Sequence, residues 1–339
     1  NHIPSLVALA EIRIQQGNWE QAESLLKTAL SVNTYHGAAN YFWGLLHQIK
    51  GEIATAKDGY SVAMVDAAWA ISAHIQLIKV LIQNKEYDQA AEILSTLNYE
   101  NEEVYFLRNV LDRIQNHVKN KFVEDFLAKN PFAFSLLAEK YIQNGDEQVL
   151  KSKITSELAY QIYLEQAIRY EEIGDYASAL KIVSLAPENV LTTYWKAYFL
   201  MKNGLDFKSS LSKSYQLPLD TYFPFRYEEF RLFAWAQKAN PNWRNDYFTG
   251  LLHWKNGEKD KAKQPYIFHP LRLMFKVKTT DQQMVAVLHD ILEDTDTTVV
   301  DLISLGFSHE VVDAIVALTK KEGESRIEAA YRAVKNPIA

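Results

Sequence analysis

Small residues recur along this chain with a period of 34, and that period constrains the fold more than any other feature. Units begin near Ile3, Gly37 and Ile71. The first carries Ala10, Gly17, Ala22 and Ala29, and the second carries Gly44, Gly51, Ala56, Tyr60 and Ala63 at related offsets. The third carries Ala90 and Leu94, with Lys85 where the earlier units have a turn glycine. Related units follow near Tyr160 (Ala167, Gly174, Ala179, Ala186-Pro187) and near Val190 (Ala197, Gly204). Apolar residues between these marks keep helical spacing, without sustained alternation of period two, so an all-α chain is expected. The stretch Leu97–Leu158 is helical but degenerate, with turns marked by Asn130-Pro131 and Asn144-Gly145.

A 34-residue unit with small residues at helix crossings and glycine in the turn resembles the tetratricopeptide (TPR) repeat. The resemblance implies two antiparallel helices per unit, stacked into an α-solenoid over residues 1–252, because a single unit cannot bury its own apolar stripe. It also implies a concave face that docks a protein or peptide. Tyr41, Phe42, Trp43, Tyr194 and Trp195 either line that face or fill the inter-repeat core.

Composition removes several classes of function. The chain has 339 residues and no cysteine, so disulfides, thiolate metal sites and cysteine nucleophiles are out. A net charge of −6 argues against general binding to nucleic acid or an anionic membrane, so neither DNA nor membrane is an expected partner. No apolar run approaches the ~18 residues of a membrane span, and no signal peptide is visible, so a cytoplasmic location is expected. No G-x-x-x-x-G-K-[ST] loop is present, which argues against a P-loop nucleotidase.

A different chemistry is concentrated in Gln264–Thr295. Met284, Val285, Val287, Leu288, Ile291 and Leu292 predict a buried helix, but His289, Asp290, Glu293 and Asp294 interrupt it. Residues four apart share a helix face, so His289 stacks with Glu293 and Asp290 with Asp294. Burying one imidazole beside three carboxylates is costly unless a cation or hydrogen bonds compensate. Imidazole with carboxylate is a ligand set for Mn²⁺, Mg²⁺ or Zn²⁺.

Three motifs resemble the HD-domain phosphohydrolases, in particular the hydrolases of (p)ppGpp and their small stand-alone relatives. They are Pro265-Tyr-Ile-Phe-His-Pro270, Val287-Leu-His-Asp290 and Leu292-Glu-Asp-Thr295. The match continues through Gly306-Phe307, Val312-Asp-Ala-Ile315, Leu318-Thr-Lys320 and Asn336-Pro-Ile-Ala339, which delimits a partial all-helical HD domain over 253–339. The resemblance implies a divalent metal, Mn²⁺ foremost, held by His289 and Asp290 together with an early His. His253, 12 residues ahead of Pro265, takes that place or is simply a position on a repeat helix. Glu293 and Asp294 would orient water and handle protons, Lys259 and Lys261 would meet substrate phosphates, and His269 reads as a wall residue.

The implied reaction removes pyrophosphate from the ribose 3′ position of a guanosine nucleotide. In that family a late Asp just after N-P-I-A completes the ligand set. These residues stop on that alanine, so weak or no turnover is expected of them. A protein of another class fits the same residues: a pure TPR scaffold carrying an inactive HD remnant.

Overall fold

The structure, a computed structural model, describes residues 2–97, 101–115, 121–219, 222–255, 273–274, 276–294, 297–321 and 323–338. It is all-α: among the described residues there is no strand. Two compact units divide the chain, Asn1–Tyr222 and Phe223–Ala339.

The first unit is built from helix pairs: Ile3–Gln15 with Trp19–Val32, Gly37–Ile49 with Ile53–Ala63, Ala70–Gln83 with Tyr87–Thr96, Ala159–Glu172 with Tyr176–Leu185, and Val190–Lys202 with Lys208–Ser214. One turn joins each pair. Its third-from-last helical carbonyl accepts from the amide five residues along: Asn18 N to Arg13 O at 2.9 Å, Glu52 N to His47 O at 2.8 Å, Glu86 N to Leu81 O at 2.8 Å, and Asp175 N to Tyr170 O at 2.9 Å. This Schellman geometry requires a left-handed residue just before the donor. Gly17, Gly51, Gly174 and Gly204 supply it without strain, with φ between 69° and 79°. In the third pair Lys85 adopts it at φ 62°, the only non-glycine with positive φ among the described residues.

The recurring alanines are the contact surface of these pairs. Ala10, Ala22, Ala29, Ala56, Ala63, Ala90, Ala167, Ala179 and Ala197 are all 0% exposed. Gly44 lies at a close crossing, where a Cβ would come within 2.8 Å of the Tyr60 ring. Of the aromatic residues singled out above, Phe42, Tyr194 and Trp195 are buried core. Tyr41 is half-buried against Phe42, Tyr60 and Trp69.

Where the period lapses, polar contacts take over. Helices Glu102–Ile114, Lys121–Lys129, Phe134–Asn144 and Gln148–Lys151 fill the gap, and the turns fall at Asn130-Pro131 and at Gly145 as expected. Glu139, 1% exposed, accepts from Arg113 Nε at 2.6 Å, Tyr170 Oη at 2.8 Å and Gln143 Nε2 at 3.1 Å. Arg113 also reaches Asp175 at 2.8 Å, and Asp175 caps helix Tyr176–Leu185 through Ser178 N. Nearby, buried Lys79 bridges Glu103 at 2.6 Å and Glu172 at 2.8 Å, and Arg169 also pairs with Glu103. These contacts tie helices 70–83 and 159–172 together across the intervening segment.

The second unit contains helices Glu228–Ala239, Trp243–Lys255, Thr280–Leu288, Ile291–Asp294, Val299–Ser304, His309–Leu318 and Arg326–Ala333. Its core gathers Val285, Leu288, Leu302, Phe307, Val311, Val312, Ala314 and Ile315, with Trp243, Met284, Ile291, Leu292, Leu305, Leu318 and Ile338 packed against it. The Trp243 and Phe307 ring centroids are 5.1 Å apart. That contact places helix Trp243–Lys255 in the second unit, and the boundary expected at 252/253 falls inside this helix. Thr298 caps helix Val299–Ser304: its hydroxyl accepts from Asp301 N at 3.2 Å while Asp301 Oδ2 accepts from Thr298 N at 2.8 Å.

Two substitutions test this account. A left-handed conformation costs a non-glycine residue about 1–2 kcal/mol, so Lys85→Gly is expected to stabilise the array by about 1 kcal/mol in urea unfolding, after the flexibility glycine adds to the unfolded chain. Glu139→Ala leaves the buried Tyr170 hydroxyl without its acceptor and Arg113 with Asp175 alone, and is expected to cost about 1–3 kcal/mol in the same measurement.

Candidate functional site

The His-Asp pair sits where an apolar helix stops. Thr279 caps helix Thr280–Leu288 through a reciprocal box with Gln282. Val285 and Leu288 commit one face of that helix to the core. His289 and Asp290 form the bend that follows, and helix Ile291–Asp294 resumes beyond it. Core burial on both sides thus holds two half-buried polar side chains at a fixed corner.

The ring of His289 is oriented by its own backbone. Its Nδ1 lies 2.9 Å from the carbonyl of Ala286. A carbonyl only accepts, so Nδ1 carries the proton, and in the neutral ring Nε2 keeps its lone pair. That Nε2 lies 3.0 Å from Asp290 Oδ2. Two acceptors at this separation repel unless a proton or a metal ion lies against both. A histidine donating one nitrogen to a carbonyl and offering the other beside a carboxylate is the arrangement of a metal ligand. The donor chemistry fits the divalent ion that the sequence implies.

The other expected site residues fare differently. Glu293 is exposed, and its Oε1 accepts from the backbone N–H of Lys320. This carboxylate is therefore engaged in joining helix Ile291–Asp294 to the turn after helix His309–Leu318. His253 is exposed at the end of helix Trp243–Lys255, with its ring 5.0 Å from that of Phe230; partial desolvation lowers its pKa. It is not brought to the His289–Asp290 pair: among the described residues no three His, Asp or Glu side chains gather to hold a metal. Lys259, Lys261, the segment Pro265–Pro270 with His269, and the side chain of Asp294 lie outside the described residues. His309 is exposed in the first turn of its helix.

Sequence reasoning missed two features. Arg332 staples the end of helix His309–Leu318, donating to the carbonyls of Val316, Ala317 and Thr319, each at 2.8 Å, and to Glu324 at 2.6 Å. Glu229 is 0% exposed, and its Oε2 accepts from Phe225 N at 2.7 Å and Arg226 N at 2.8 Å. Burial pushes its pKa up to about 7, against the lowering effect of these N–H donors and the Arg226 charge. Spacing could have flagged neither, because the partners are backbone groups brought close by the packing of other segments.

No protein-family model matches the chain. Two curated proteins, each a probable guanosine-3′,5′-bis(diphosphate) 3′-pyrophosphohydrolase, are similar to part of it. The one from Mycoplasma pneumoniae is 32% identical over 77 residues, 22% of this chain and 10% of that protein. The one from Mycoplasma genitalium is 31% identical over 86 residues, 24% of this chain and 12% of that protein. The chain thus spans about a tenth of the length of these relatives. Among solved structures, a tetratricopeptide repeat protein from Parabacteroides merdae aligns over 74% of this chain and 84% of its own, at 12% identity and a TM-score of 0.38. PilF from Pseudomonas aeruginosa aligns over 68% of this chain and 96% of its own, at 17% identity and a TM-score of 0.34. The first unit is an array of antiparallel helix pairs. No helix of the described residues is long and apolar enough to cross a membrane.

Glu229 generates a pH prediction. Its folded pKa near 7 lies above the ordinary 4.5, so the native state holds the proton more tightly than the unfolded chain does. The stability this group contributes is present below about 4.5 and is lost as pH rises through 7, by about 3 kcal/mol at most. Glu229→Gln is expected to flatten that decline; pH-dependent urea midpoints for both chains measure it.

Proposed function

We infer that this chain is a protein-docking TPR-like scaffold joined to a metal-dependent nucleotide phosphohydrolase-like segment of the HD kind. The observation that supports the second half is the His289–Asp290 corner, with Nδ1 spent on a carbonyl and Nε2 facing a carboxylate at 3.0 Å. A divalent ion, Mn²⁺ foremost, would supply a Lewis acid and an acidified water there. His289 and Asp290 would hold it, with the Ala286 carbonyl fixing the plane of the ring. Asp294 would handle the proton, and Glu293 would set the helix against the Lys320 turn. The substrate class is a guanosine nucleotide bearing a 3′ pyrophosphate, on the strength of the motifs and of what the Mycoplasma relatives are named for.

A second reading has its own support. Among the described residues the pair has no third ligand, and Glu293 is engaged by a backbone amide. On that reading the array alone works, docking a protein or peptide partner, and the HD segment is a remnant.

Mn²⁺ titration separates the two. The chain is expected to bind Mn²⁺, and His289→Ala or Asp290→Asn to weaken binding roughly tenfold or more, with helix content unchanged by circular dichroism. Equal binding by all three proteins, or none by the parent, would leave only the scaffold.

A further inference from the structure

We propose that Lys320 is a phosphate-binding cation of the HD segment, held in place by Glu293 and Arg332; this rests on the HD reading above. The juxtaposition that points to it is at Thr319, Lys320 and Lys321, whose backbone groups are held by Arg332, Glu293 and Glu324. Arg332 takes the carbonyl of Thr319 at 2.8 Å and, through Glu324, steadies Lys321, whose N–H donates to Glu324 at 3.0 Å. On the other side Glu293 takes the N–H of Lys320. Glu293 lies four residues beyond His289, across the bend, so this bond joins the Lys320 backbone to the short segment that carries the pair.

The choice of partner is informative. Glu293 accepts from the backbone N–H of Lys320 and forms no ion pair with its ammonium among the described residues. Lys320 is exposed, and its ammonium makes no hydrogen bond or ion pair among the described residues. A cation left unpaired on a backbone tied to the helix that follows the carboxylate–imidazole pair suits an anion that would also meet a metal held there. A compact ammonium on a flexible stem is a common phosphate binder, and a fixed backbone lowers the ordering cost of using it. The ligand class is a diphosphate or the pyrophosphate end of a nucleotide.

The test uses the full chain loaded with Mn²⁺ and inorganic pyrophosphate as the probe, followed by calorimetry. Losing one charge-assisted hydrogen bond lowers affinity roughly ten- to hundredfold, and that loss is expected for Lys320→Gln, with Mn²⁺ affinity unchanged. Lys320→Arg should keep most of the affinity, and Lys278→Gln, an exposed lysine before helix Thr280–Leu288, should keep all of it. Glu293→Ala should weaken pyrophosphate binding and add little to Lys320→Gln in the double variant, whereas Glu293→Gln, which retains an acceptor oxygen, should bind nearly as the parent does. Unchanged affinity in Lys320→Gln, with binding lost in His289→Ala, would overturn the role of Lys320 and leave the HD reading standing. Mn²⁺ binding without pyrophosphate binding would also overturn it. Absence of Mn²⁺ binding by the parent would remove the HD reading and this inference together.

Discussion

The array depends on one steric constraint: two antiparallel helices approach closely only where their facing residues are alanine or glycine and the connecting turn passes through a left-handed residue. Both conditions recur at the same offsets. Each turn closes with the same six-residue hydrogen bond, so every pair emerges with the same geometry and offers its neighbour the same apolar flank. Burying a large aliphatic side chain on such a flank contributes roughly 1.5–3 kcal/mol, and no single pair supplies both sides of the contact. Lys85 shows the strength of the constraint. The third pair keeps the left-handed turn although its residue disfavours it, because the helices on either side leave no other path.

Between residues 97 and 158 the small-residue code lapses, and the chain holds its register by a different means. The Arg113–Glu139–Tyr170–Asp175 cluster connects four helices through short, mutually satisfied hydrogen bonds. A buried carboxylate with three donors is tolerated where one with none would not be. Such a cluster specifies one arrangement among several that apolar packing alone would permit.

The second unit uses packing to place chemistry. Helix Thr280–Leu288 is anchored at its start by a capping box and along its face by the core. The polar corner at its end is therefore positioned by apolar contacts behind it rather than by polar contacts around it. The same core fixes helix His309–Leu318, whose trailing turn Glu293 and Arg332 clasp from opposite sides. Arrangement of the candidate site thus follows from burial of Val285, Leu288, Val311 and Ile315, all apolar side chains.

Much of this was legible in the residues themselves. The all-α fold, the helix-pair period, the turns at Gly17, Gly51, Gly174 and Gly204, the cap at Thr298 and the break at Asn130-Pro131 all follow from local rules: backbone freedom at glycine, capping chemistry, helical spacing. The adjacency of His289 and Asp290 is sequential and needed no structure. Only the tertiary structure decided which contacts cross between distant segments. It assigned helix Trp243–Lys255 to the second unit through Trp243 on Phe307, turned His253 onto Phe230, gave the Glu293 carboxylate to the Lys320 amide, and buried Glu229 under a loop. Spacing along one helix says which side chains share a face. It cannot say what lies opposite that face, because the partner comes from another segment whose approach is set by the packing of the whole unit.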